Sequence, residues 1–254
     1  MLTDFPRPRF VPSLLLSAAL AILSTTASAE TVDQVIARYL QARGGSDRIH
    51  AVATLRLTGR MSLPDVEAPL VLELKRPNRM RTEFVFQGRT GVRVYDGQKA
   101  WMILPLAGST EAQEMSPEEA RDAREQADID LSPLVDPGAK GYGVELLGRE
   151  AGVGGKESWK IRVRPREGPA RTMYLDAKTS LVVRIEESRI IDGKEEDFVT
   201  TVGDYRSVGG LMYPYAIEVG PRKGGEAQTF RFDKIEVNVP LDDSRFAMPV
   251  PARR

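Results

Sequence analysis

Glu118/Glu119 and Asp128/Asp130 are the residue pairs whose type and spacing come closest to chemistry. Two neighbouring carboxylates can divide acid and base roles when their surroundings push their proton affinities apart. Here both pairs stand in a polar helical stretch rich in charge, and they read as solvated surface. Asp242-Asp243-Ser244 has the beginning of a calcium loop but lacks the further regularly spaced oxygen ligands. The single histidine, His50, has no nucleophile elbow to serve and reads as a solvent-facing residue at a helix end. With no cysteine in 254 residues, disulfides, thiolate metal sites and a cysteine nucleophile are excluded. No Walker motif and no helix-opening glycine fingerprint is present. The reading is therefore of a protein that binds, with no catalytic residue, no metal and no cofactor.

Its partners are not nucleic acids, because 36 basic and 36 acidic side chains leave no net charge. Binding falls to apolar side chains, and these sit on strands. After a first helix with Val32, Val35, Ile36, Tyr39 and Leu40 on one face, the apolar period changes from 3.6 to two. Thr31-Val-Asp-Gln34 resembles a capping box for that helix, Gly44-Gly45 stops it, and Ser46 is placed as the cap of a short second helix. Leu55, Leu57, Met61 and Leu63 alternate with polar residues. Leu70, Leu72 and Leu74 do the same, then Phe84 and Phe86, then Val92 and Val94. Asp96-Gly97 is a hairpin turn leading to the strand of Trp101. Ser116-Pro117-Glu118-Glu119 opens an inserted helix with a serine cap and proline at its first position. That helix has only alanines to bury, whereas its continuation carries Ile129, Leu131, Leu134 and Val135.

Strands resume at Gly143 and run to Val239. In the last one the apolar parity switches between Phe232 and Ile235, which a bulge near Asp233-Lys234 would produce. About eleven strands in one sheet demand strong curling. The expected fold is mainly β with some helix (α+β). It is a single strongly curved antiparallel sheet forming an incomplete β-barrel, with an N-terminal helix and an inserted helical lid. Leu55, Leu57, Leu70, Leu72, Phe84, Phe86, Val94, Trp101, Trp159, Ile161, Ile217 and Phe232 are the candidate lining of an apolar cavity. Ile129, Leu131, Leu134 and Val135 are the candidate lid.

Short motifs recur along this frame: Tyr39-Leu-Gln-Ala-Arg43-Gly44-Gly45, Leu55-Arg-Leu-Thr-Gly59, Lys75-Arg-Pro-Asn-Arg79-Met-Arg81 and Tyr95-Asp96-Gly97 before Trp101. Tyr174-Leu-Asp176-Ala-Lys-Thr179, Asp204-Tyr-Arg-Ser-Val-Gly209-Gly210 with Tyr213-Pro214, and Ile235-Glu-Val-Asn-Val-Pro240 with Phe246 follow in order. In that order and spacing the chain resembles the periplasmic outer-membrane lipoprotein-sorting proteins, the LolA-like superfamily of Gram-negative bacteria. The resemblance implies a barrel left incomplete, with helices against its apolar concave face. It implies a monomeric carrier of the acyl chains of lipoproteins or lipids towards the outer membrane. The same superfold serves periplasmic regulators of envelope stress, so it also implies an alternative, a sensory module with an inner- or outer-membrane partner protein. The archetype latches its lid with an arginine, a role the motifs do not assign among Arg43, Arg79, Arg81 or another.

Residues 1–29 read as a signal peptide: Arg7 and Arg9, an apolar run from Leu14 to Leu23, then Ala27-Ser28-Ala29 as the small-x-small cleavage site. The run of about ten residues is half of the roughly 20 that a bilayer core requires. Residues 30–254 then form one LolA-like domain in the periplasm. The expected mature protein starts at Glu30, which the intact mass of the periplasmic form checks; full-length chain found only in membranes would contradict it.

Overall fold

A computed structural model describes residues 30–249, apart from 64–65, 106–107, 109, 152–154 and 192–193. The signal stretch with Ala27 and Ala29 lies outside these described residues. The capping box forms as expected: the Thr31 side chain accepts from the Gln34 amide, and the Gln34 side chain accepts from the Thr31 amide. It opens α1 (Val32–Arg43), which buries Val35, Ile36, Tyr39 and Arg43. Gly44 ends the helix at φ 117°, and a Cβ there would meet the Gly210 carbonyl oxygen at 2.2 Å. Only glycine combines that backbone conformation with so close an approach. In α2 (Ser46–His50) the cap is Gly45, so Ser46 is the first helical residue instead of the cap.

Thirteen antiparallel strands make one sheet, against about eleven expected. The first half is a meander of β1 (Thr54–Leu63), β2 (Val66–Lys75), β3 (Arg79–Phe86), β4 (Arg89–Tyr95), β5 (Ala100–Ile103) and β6 (Gln113–Glu114). The second half contains β7 (Gly143–Ala151), β8 (Glu157–Arg164), β9 (Arg171–Asp176), β10 (Val182–Ile191), β11 (Lys194–Val208), β12 (Leu211–Pro221) and β13 (Gln228–Val237). In space the order is β6-β5-β4-β3-β2-β1-β13-β12-β11-β10-β9-β8-β7. The consecutive β6 and β7 do not pair, and every pairing joins strands consecutive in sequence except at one seam, β1 against β13. There Thr58 faces Lys234 and Gly59 faces Phe232, so Asp233 is the extra residue of the bulge predicted from the parity switch.

The sheet is not closed into a barrel, and its two edges are β6 and β7. The connection between them, which includes α3 (Pro117–Gln126), leaves one edge of the sheet and re-enters at the other. On its way α3 packs against β3, β4 and β5, while Leu134 joins the core under α1. The opposite face of the first half is covered differently. Leu241 and Phe246 from the C-terminal segment pack on Val92, Val94 and Trp101, and the Trp101 Nε1–H donates to the Phe246 carbonyl at 3.1 Å. Beneath this strap the buried Glu73 carboxylate pairs with Arg56 at 2.9 Å and Arg245 at 2.6 Å.

The helix α3 begins with the predicted capping box, Ser116 with Glu119, and proline in the first turn. Ala123 is its one buried residue, followed by Ala127 just beyond its end. A buried methyl contributes on the order of 1 kcal/mol, so docking holds this helix weakly. In hydrogen exchange the amides of residues 118–126 should exchange well before those of β2, which is paired on both sides. Equal protection of the two would show α3 to be a fixed part of the core.

Candidate ligand-binding site

Alternation along paired strands gathers one apolar surface from residues far apart in sequence. Leu55 and Leu57 of β1 pair with Leu74 and Leu72 of β2 on one side and with Val237 and Ile235 of β13 on the other. Leu70 faces Phe84 of β3, and Phe84 faces Gly91 of β4. A Cβ at Gly91 would lie 2.2 Å from the Phe84 ring, so glycine is what lets that ring lie flat across the neighbouring strand. Phe232 and Ile217 extend the surface across the seam. The second half supplies its own apolar set, Trp159, Ile161, Val163, Met173 and Leu175, lying under Val35, Ile36 and Tyr39 of α1.

The inserted connection covers both sets. Ile129 and Val135 are buried in the first, with Leu131 half-buried beside them, and Leu134 is fully buried in the second. Polar groups fix this cover. Asp130, 4% exposed, receives Arg76 at 2.5 Å and Lys140 at 2.8 Å. Lys140 also pairs with Asp128 at 2.7 Å, and Arg76 donates to the carbonyls of Val52 and Ile49. His50 contacts Asp136 at 2.7 Å, tying α2 to the same connection at an exposed position. Burial alone would raise the Asp130 pKa, but Lys140 and Arg76 outweigh it and hold the carboxyl below its ordinary value. For Asp128 burial wins over Lys140, and its pKa is raised.

Arg43, the last residue of α1, is buried where the two apolar sets meet. It donates to the Tyr39 hydroxyl at 2.8 Å and to the Asp130 backbone carbonyl at 3.3 Å. Its guanidinium lies 5.6 Å from the Tyr213 ring centre and 5.8 Å from that of Tyr39. Of the three arginines considered as a latch, this one reaches the cover. Arg79 and Arg81 point to the C-terminal strap instead, pairing with Asp243 and donating to the Arg245 carbonyl.

Most residues expected to line a cavity therefore share the covered face. Leu55, Leu57, Leu70, Leu72, Phe84, Ile217 and Phe232 lie in the first set, and Trp159 and Ile161 in the second. Phe86 has the parity of Phe84 but stands at the hairpin end of β3, opposite Arg89. Val94 and Trp101 are on the other face. Val94 pairs with Arg81 while its neighbour Tyr95 pairs with the core residue Met80, and the C-terminal strap covers both Val94 and Trp101. The side chains that reading by residue type left out are the polar ones. Asp130 is not solvated surface but the buried centre of the clasp. Its one visible signal was a charged residue between Ile129 and Leu131. Asp242 caps a short 3-10 turn and Asp243 pairs with Lys75 and Arg79, so this acidic run holds the strap. Among the described residues no acidic or histidine cluster is arranged to hold a metal ion.

Asp130→Asn should loosen the cover by about 2–3 kcal/mol, because Arg76 and Lys140 lose their shared anion but keep some access to water. Hydrogen exchange over residues 127–142 should speed up while β2 is unchanged. Since Asp130 has a depressed pKa, its contribution is present above about pH 4 and is lost as the pH falls below it. The gap between wild type and variant should close in acid, and a gap independent of pH would contradict the clasp.

The architecture has solved counterparts. A DUF1329-family protein of Desulfovibrio piger superposes with a TM-score of 0.61 at 13% identity, covering 86% of this chain and 98% of its own. A LolA-superfamily protein of Nitrosomonas europaea gives 0.59, also at 13% identity and over the same shares of the two chains. A domain assigned to the outer membrane lipoprotein-sorting proteins, from Vibrio parahaemolyticus, gives 0.56 at 11% identity over 84% of this chain and 94% of that one. No protein-family model and no curated protein sequence matches the chain. With an open antiparallel sheet, helices on one apolar face and these counterparts, the chain has the LolA-like fold.

Proposed function

We propose that the protein is a periplasmic carrier that holds an acyl chain of a lipid or lipoprotein against the face now filled by residues 127–142. The observation that carries this reading is the nature of the filling. The apolar face is covered by a connection that is clasped by ion pairs, not by elements of the sheet's own hydrogen-bonded frame. Full burial of Ile129, Leu134 and Val135 contributes roughly 5–9 kcal/mol in all. An acyl chain gains about 0.8 kcal/mol per buried methylene, so eight to ten methylenes match it. In apolar burial alone, a lipid tail can therefore replace the cover on this face. The fold shared with a lipoprotein-sorting domain supports the same reading, and so does the signal-peptide pattern expected of residues 1–29. Loading and release would take place at the two membranes, where a protein partner would deliver or receive the cargo.

Leu72 is half-buried at the centre of the first apolar set, between Leu57 and Thr82. In Leu72→Gln the amide can meet water when the site is open, but it opposes an acyl tail when the site is filled. The variant should stay folded and bind a fluorescent fatty acid about tenfold more weakly, a loss of about 1.4 kcal/mol. Melting and titration on the same sample check both halves. Unchanged affinity in a folded variant would place the ligand elsewhere, and unfolding would mark Leu72 as plain core.

A further inference from the structure

We propose that Arg43 is an anchor for an anionic head group, so that the ligand is a negatively charged amphiphile and not merely an apolar chain. This rests on the acyl-binding reading above and specifies which amphiphile the site takes. Arg43 is 4% exposed, yet among the described residues no carboxylate is in ion-pair contact with it. Its contacts are a phenol, one backbone carbonyl and two aromatic faces, and its Nε–H has no acceptor. Taking a guanidinium out of water costs several kcal/mol unless a counter-charge replaces the water. Holding a carbonyl at 3.3 Å does not require that charge, since any neutral amide donor of suitable length could do it.

The surroundings leave the charge unanswered. The nearest acid on the cover, Asp130, offers Arg43 its carbonyl, while its carboxylate is taken by Arg76 and Lys140. Tyr39 and Tyr213 face the guanidinium, and burial raises the pKa of the Tyr213 hydroxyl, so it offers no charge. The ion pairs of the clasp run from Arg76 and Lys140 to Asp130 and from Lys140 to Asp128, and none of them reaches Arg43. When residues 127–142 swing away, Arg43 loses the Asp130 carbonyl at the point where both apolar sets meet. A carboxylate or phosphodiester there would complete its hydrogen bonds while the tail covers the apolar sets. Arginine suits both groups through its planar, two-pronged donor set.

The test compares ligands of one chain length with and without the anionic group, by displacement of a fluorescent reporter at pH 8 and below micelle-forming concentrations. Dodecanoate is set against 1-dodecanol, and myristoyl lysophosphatidylglycerol against 1-monomyristoylglycerol, which lacks the phosphodiester. Wild type should prefer the anion at least tenfold in one pair. The first pair reports a fatty-acid carboxylate, the second a phospholipid head group. Arg43→Met keeps an unbranched side chain without the buried charge, so it should fold, and the ratio of affinities within each pair should fall to within twofold, a ratio in which any loosening of the cover cancels. Arg43→Lys should retain most of the preference. Equal affinities within both pairs in wild type overturn the proposal without any variant, and so does a preference that survives Arg43→Met. Failure of all four ligands to bind would instead overturn the acyl-binding reading itself.

Discussion

A chain that leaves a sheet at one edge and re-enters at the other has to cross one of its faces. In this protein the sheet is thirteen strands wide, and β6 and β7 are its opposite margins. The path between them is therefore long, and a sheet of this width curls around it. Everything distinctive about the covered face follows. The segment must be apolar where it crosses, as Ile129, Leu134 and Val135 are, and its exposed backbone polar groups need partners there. Arg43 answers that need at the Asp130 carbonyl and Lys140 at the Ser132 carbonyl, while Arg76 holds the Asp130 carboxylate.

The cover is bound by means that water can compete with. Arg76 and Lys140 keep 32% and 22% of their side-chain surface exposed, so their ion pairs with Asp130 are worth less than fully sealed ones would be. Its backbone is also under tension. Leu131 at φ 54° and Asp136 at φ 48° adopt the left-handed conformation without being glycine, at a cost of roughly 1–2 kcal/mol each. Such strain is sustained only while the surrounding contacts over-determine the shape. The strands beneath are held by hydrogen-bonded ladders, and Asp204 of β11, at φ 51°, is the one left-handed non-glycine residue inside a strand among the described residues. Flexibility and rigidity are thus assigned to different parts of the chain, and the boundary between them falls at the clasp.

The frame was legible in the sequence because its signals are local. Period-two alternation marks Leu70, Leu72 and Leu74, the capping boxes at Thr31 and Ser116 mark two helix starts, and the parity switch after Phe232 marks the bulge at Asp233. The two-residue β6 is too short to show a period at all. Val94 and Trp101 lie on the strap side, unlike the other expected lining residues, because parity marks Val92 and Val94 as the apolar face of β4, against Arg93, without saying which part of the chain covers that face. The choice is made by Leu241 and Phe246, far along the chain. The clasp was hidden for the same reason. Asp130 meets Arg76 across 54 positions of sequence and Arg43 across 87, and no spacing rule connects them. A lone acid between two large aliphatics is the trace that such a contact leaves.

The single seam between β1 and β13 also shapes how the molecule comes into being. Every other pairing in the sheet joins strands that follow each other in sequence, so each half can zip up as a series of hairpins with little loop entropy to overcome. The seam alone joins residues some 180 positions apart, as Leu55 and Val237 do. Its closure waits for the last strand to leave the ribosome, and until then β1 presents an unpaired apolar edge. That edge is then the part of the chain a chaperone has most reason to shield.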